Sequence, residues 1–164
     1  MAKGIVQIYY GQGRGKSTAA LGNAIGVAGL GQQVVVIEFL KGKEENVHEY
    51  LKRLEPEIKF FRFSRRDDCF ESLTEEEKQE ETMNLRNGFS YGKKVACTGA
   101  CDLLVMDEVL GLVDEKVISV EELKEFFENR ADDMNIICTG RSLHDDIRKY
   151  ADEIYNITPE KMFD

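Results

Sequence analysis

Short apolar runs recur along the chain, separated by stretches whose apolar residues fall three and four apart. The runs predict strands at Gly4–Tyr10, Val34–Leu40, Ile58–Phe63, Leu103–Met106, Asn135–Cys138 and Glu153–Ile157. Several are near-continuous Val, Ile and Leu, the pattern of strands covered on both faces. Helical spacing fills the gaps at Ser17–Leu30, Asn46–Leu54, Thr74–Ala96, Val120–Glu128 and Leu143–Tyr150. In the second of these, Val47, Tyr50, Leu51 and Leu54 fall on one stripe. Alternation of this kind predicts an α/β fold: a mostly parallel sheet of about six strands with helices on both faces. A ligand then sits at the carboxyl ends of the strands.

The turn after the first run carries chemistry. Gly11-Gln12-Gly13-Arg14-Gly15-Lys16-Ser17 stands between a strand and a helix start, where a phosphate-binding loop belongs. Glycines let the backbone curl so that several N–H groups face one anion, and the positive end of the helix adds to that field. Lys16 then reaches phosphate oxygens and the Ser17 hydroxyl ligates Mg²⁺. The usual G-x-x-x-x-G-K-[ST] pattern would place glycine at position 10, where this chain has Tyr10. Arg14 adds a second cation inside the loop.

The apolar run Leu103–Met106 ends in Asp107-Glu108, two carboxylates that would emerge beside such a loop. Mg²⁺ takes oxygen ligands and keeps several waters, so these carboxylates with Ser17 and phosphate suffice. Thr139-Gly140-Arg141-Ser142-Leu143-His144 follows another strand on the same side of the sheet. Arg141 is a candidate oxyanion clamp and His144 a candidate orienting residue; alternatively the segment is a turn and helix start with solvated side chains.

Composition narrows the partners. A chain of 164 residues with 42% hydrophobic content is sized for one domain. No apolar run approaches the ~20 residues that span a membrane, and no leader pattern precedes the first strand, so the expectation is a cytoplasmic protein. Net charge of -9 argues against nucleic acid as the main partner. The glutamates at 75, 76, 77, 80 and 81 read as a solvated helix face behind an N-capping Thr74. Cys97 and Cys101 would share a helix face as packing residues rather than zinc ligands. Ser64–Leu73 is long and polar enough for a lid or binding loop, or equally for a mobile connection.

Taken together, these residues resemble the P-loop type of ATP:corrinoid adenosyltransferases of cobalamin synthesis and salvage. That family carries T-G-N-G-K-G-K-T-T-A-A, and the chain has Tyr10-Gly11-Gln12-Gly13-Arg14-Gly15-Lys16-Ser17-Thr18-Ala19-Ala20. Val36–Gly42 is similar to its V-V-Q-F-I-K-G, and Met106-Asp107-Glu108 to its L-D-E. Thr139-Gly140-Arg141 with His144, Ile147 and Ala151-Asp152 follows its T-G-R-G-x-H-x-x-I-x-x-x-A-D. Glu38 and Arg14 replace a glutamine and a lysine, and the aromatic G-F-T-W-E loop has no clear match. Phe70 is the aromatic residue in that region.

The resemblance implies transfer of the 5′-deoxyadenosyl group of ATP to the cobalt of a reduced corrinoid such as cob(I)alamin, with release of triphosphate. It implies catalytic roles for Lys16, Arg14, Glu108 and Phe70, and a nucleotide site at Gly11–Thr18 with Arg141. It also implies Mg²⁺ at Ser17, Asp107 and Glu108, a flavoprotein electron donor and a homodimer. ATP would lie with its γ-phosphate deep in the loop and its ribose toward the corrinoid. Phe70 would be a wedge that excludes the axial ligand of cob(II)alamin. Two alternatives use the same loop: a small-molecule or nucleoside kinase, which releases ADP, and a non-catalytic nucleotide switch.

Overall fold

A computed structural model of the chain describes residues 3–40 and 49–163. Six strands form one sheet: β1 (Val6–Tyr10), β2 (Val34–Glu38), β3 (Ile58–Arg62), β4 (Leu103–Asp107), β5 (Asn135–Gly140) and β6 (Glu153–Asn156). Their spatial order is β3-β2-β4-β5-β1-β6, and every pairing is parallel. All carboxyl ends therefore open on one edge, where the connecting loops can build a site.

Alternate side chains of the strands feed two separate cores. Val34, Val36, Ile58, Leu103, Val105 and Ile137 pack with Ala20 and Ala24 of α1 (Lys16–Gly29). Ile8, Ile37, Leu104, Met106 and Ile136 pack on the other face. That face is covered by α2 (Glu75–Thr98), α3 (Val109–Asp114) and α4 (Val120–Glu128). The three-layer α/β prediction holds, with the sheet wholly parallel.

Helix ends follow capping chemistry. Thr74 accepts the Glu77 N–H at 3.2 Å, and three glutamates occupy the first turn of α2, where the helix dipole favours them. Ser119 and Glu122 form a reciprocal capping box on α4.

Several expectations need correction. Glu81 is only 3% exposed, so the acidic run is not wholly a solvated face. α2 stops at Thr98 with Gly99 in the left-handed region, which leaves Cys101 off the helix that carries Cys97. Leu143–Tyr150 is a 3-10 segment over Asp145–Tyr150 rather than an α-helix. The Asn46–Leu54 prediction lies partly outside the described residues, as do Val47 and the Lys41-Gly42 end of its neighbouring motif. Residues 49–51 are helical and Lys52–Leu54 forms a 3-10 turn; Leu51 is buried, but Tyr50 is exposed and leaves the predicted stripe.

Candidate active site

β1 delivers the chain into the glycine loop. Gly11 has φ 128, a conformation that L side chains rarely adopt, and a Cβ there would lie 2.3 Å from the Ile157 carbonyl oxygen. At Gly13 the same oxygen would be 2.7 Å away, and it accepts the Gly13 N–H at 2.8 Å. The loop is thus pressed against the segment after β6, and both positions require glycine. Gly15, at φ 103, caps α1, and a Cβ there would meet nothing within 4 Å. One flank of the loop is packed and the other is open, as a grip on an anion requires.

Tyr10 explains the departure from the usual loop. Its hydroxyl accepts from Arg148 Nη2 at 3.1 Å and from Asn156 Nδ2 at 3.2 Å, and the guanidinium lies 5.4 Å from the ring centroid. A packing residue stands where other phosphate loops begin with glycine.

Lys16 is largely buried, and its Nζ donates to the Gly13 carbonyl at 2.8 Å, which keeps the ammonium on the loop. Ser17 Oγ donates to Asp107 Oδ1 at 2.9 Å, so the predicted hydroxyl–carboxylate pair is in contact. The same oxygen accepts from Thr139 Oγ1 at 2.6 Å, and Thr139 Oγ1 in turn accepts the Glu108 N–H at 2.8 Å. Thr139 is fully buried and was not among the predicted site residues. Its signal is a hydroxyl one residue before the end of β5, readable only once β5 is set beside the carboxylate that ends β4.

Asp107 and Glu108 serve different spaces. Asp107 follows Leu103 and Val105 on the α1 side of the sheet. Glu108 has φ 67, which ends the strand, and it lines a cavity of about 360 Å³. Phe70, Glu71, Asp114, Glu115 and Arg141 share that cavity. Phe70, Glu108 and Arg141, distant in sequence, are therefore brought together. The Glu115 carboxyl is held above the usual carboxylate range, first by burial and then by Glu71 beside it.

Arg14 stands apart from this group. It is exposed and lines a second cavity of about 420 Å³, with Gly13 and the segment Ile157–Phe163. Gln12 and Thr18 are also exposed on the loop and the first turn of α1. His144 does not orient a site residue: its Nδ1 accepts the Asp146 N–H at 3.2 Å and caps the 3-10 segment.

Among the described residues, no group of three or more His, Cys, Asp or Glu side chains could hold a metal ion. The Ser17 hydroxyl and Asp107 carboxylate are nonetheless hard oxygen donors that fit Mg²⁺, an ion that draws most of its ligands from water and phosphate. No helix among the described residues is long and apolar enough to cross a membrane.

The sequence profile of the family described as ATP:corrinoid adenosyltransferase BtuR/CobO/CobP matches residues 2–163. The corrinoid adenosyltransferase of Escherichia coli K12 is 28% identical over 159 residues, covering 97% of this chain and 79% of that protein. The corrinoid adenosyltransferase CobA of Salmonella typhimurium LT2 is 30% identical with the same coverage. A Pseudomonas aeruginosa corrinoid adenosyltransferase is 20% identical over 152 residues, covering 93% of this chain and 73% of that protein. A family profile that matches nearly the whole chain places it: the chain belongs to the ATP:corrinoid adenosyltransferase family.

Proposed function

We propose that the protein transfers the 5′-deoxyadenosyl group of ATP to the cobalt of a reduced corrinoid and releases triphosphate. One observation carries the reading: adjacent carboxylates divide a phosphate loop, reached by Asp107, from a cavity lined by Glu108, Phe70 and Arg141. Two substrates can then meet across two residues of backbone.

The cobalt(I) lone pair attacks the ribose C5′, the Co–C bond forms, and the C5′–O bond breaks with its electrons leaving on triphosphate. No proton moves, so the site needs no general base. Its tasks are to align the reacting atoms and to stabilise the departing anion. The loop amides and Lys16 serve the second task, with Arg14 at the rim and Gly11–Thr18 forming the nucleotide cradle. Ser17 and Asp107, with Glu108 adjacent, would hold Mg²⁺, which when bound supplies further charge neutralisation at the phosphates. Arg141, which the family resemblance implies for the nucleotide, lines the cavity with Phe70, so it would clamp oxygens on the corrinoid side instead, and Phe70 would be the apolar group that excludes the cobalt's axial ligand.

The family resemblance supports three finer assignments: a cob(I)yrinic acid a,c-diamide type of acceptor, a reduced flavoprotein as electron donor, and a homodimer. An anaerobic assay with ATP, Mg²⁺ and chemically reduced corrinoid tests the core reading. Formation of a Co–C bond with stoichiometric triphosphate supports it. ADP release would favour a kinase, and tight ATP binding without corrinoid-dependent consumption would favour a switch.

A further inference from the structure

The carboxylate of Glu81 is buried on α2, yet it faces neither the phosphate loop nor the cavity. It accepts from Ser64 Oγ at 2.9 Å, Arg65 N at 3.1 Å, Arg66 N at 2.9 Å and Asn84 Nδ2 at 3.2 Å. Two consecutive main-chain N–H groups of the loop thus donate to the two oxygens of one helix carboxylate, Arg65 to Oε1 and Arg66 to Oε2. The contact fastens the loop to the helix.

The remaining contacts complete the attachment. Arg66 reaches back to Glu77 at 2.6 Å and Glu80 at 3.1 Å, while its carbonyl accepts from Arg62 Nη2 at 2.9 Å. At the other end, Ser72 Oγ and Ser72 N both donate to the Cys69 carbonyl, at 2.7 and 3.0 Å, and Leu73 is buried. Phe70 stands in this second turn, its ring 6.0 Å from the Lys78 ammonium of α2. Only Asp67 and Asp68 separate the two anchored parts.

We propose that Glu81 is a positioning residue for the corrinoid: by pinning residues 64–66 it holds Phe70 at the cavity wall, so this loop is a preset wall and not a closing lid. The inference rests on the adenosyltransferase reading above. A carboxylate is required because every partner is a donor; an amide would turn its own N–H₂ toward them.

The test compares the full-length protein with Glu81→Gln and Ser64→Ala, measuring KM for ATP and for corrinoid separately and starting from cob(II)alamin or pre-reduced cob(I)alamin. Glu81→Gln should raise the corrinoid KM by about tenfold and lower the cob(II)-to-cob(I) rate ratio, while the ATP KM stays within about twofold. Ser64→Ala, which keeps the charge, should move the same quantities in the same direction by less. It decides the matter alone if Glu81→Gln does not fold. An equal effect on both substrates, or an unchanged corrinoid KM and rate ratio, overturns the proposal. A wild-type protein that forms no Co–C bond would instead count against the adenosyltransferase reading itself.

Discussion

Thr139 Oγ1 lies 2.6 Å from Asp107 Oδ1, and the same hydroxyl oxygen takes the N–H of Glu108 at 2.8 Å. One buried hydroxyl thus sets both members of the acidic pair: it fixes the Asp107 carboxylate from β5 and holds the backbone where Glu108 turns toward the cavity. Thr139→Val keeps the shape and removes the bonds. It should cost about 1–3 kcal/mol of stability, because the Glu108 N–H loses its partner. Turnover should fall as well. Denaturant unfolding checks the first effect, and an unchanged midpoint would remove the hydroxyl from the site's frame.

Lys16→Ala should reduce adenosyl transfer by about 2–4 kcal/mol in barrier terms, since it removes a charged contact to the leaving group. The native state loses the bond to the Gly13 carbonyl and the packing of the lysine stem but gains relief from a buried ammonium, so the melting temperature should change little. Near-normal rates in a folded variant would refute the role.

Phe70→Ala should slow turnover that starts from cob(II)alamin more than turnover with pre-reduced cob(I)alamin. In the proposed role, the ring would act on the rate chiefly while the axial ligand must be displaced. Paired assays decide this, and equal slowing in both would take Phe70 out of the reduction step.

Glu115 carries the pH prediction. Burial and the neighbouring Glu71 raise its folded pKa above the ordinary value of 4.5. The folded state therefore binds this proton more tightly than the unfolded chain does. Stability falls as pH rises from the unfolded value toward the raised folded one, and stays lower above it. Glu115→Gln should accordingly melt higher than wild type at pH 7, with the difference vanishing below about pH 4. A constant difference across that range would contradict the assignment.

Much of the architecture was legible because β2, β4 and β5 are covered on both faces, so their apolar runs stand out from everything around them. The glycine loop was legible because its backbone has few substitutes: Gly11 and Gly13 have no room for a Cβ. α3 escaped because Val109–Asp114 is apolar with no polar face to give it a helical period. Glu81 was misread by charge alone. Its spacing with Leu85, Gly88 and Phe89 places it on the buried stripe of α2, a signal that the surrounding glutamates masked. Thr139 was hidden for a related reason, since a hydroxyl at a strand end carries no pattern until the neighbouring strand's register is known. The convergence of Phe70 and Arg141 on one cavity depends on tertiary contacts that no local spacing encodes.

The outermost strand has a further importance. The carbonyl of Ile157, just past β6, accepts the Gly13 N–H, and the Ile157 N–H donates to the Tyr10 carbonyl at 2.7 Å, while no residue of β6 itself is buried. A strand that contributes so little to the hydrophobic interior would ordinarily be the most dispensable part of a sheet. Here it is a splint. Peeling it away would slacken the glycine loop while costing the cores only the edge contacts of Ile157 and Tyr155, so loop order and global folding need not fail together.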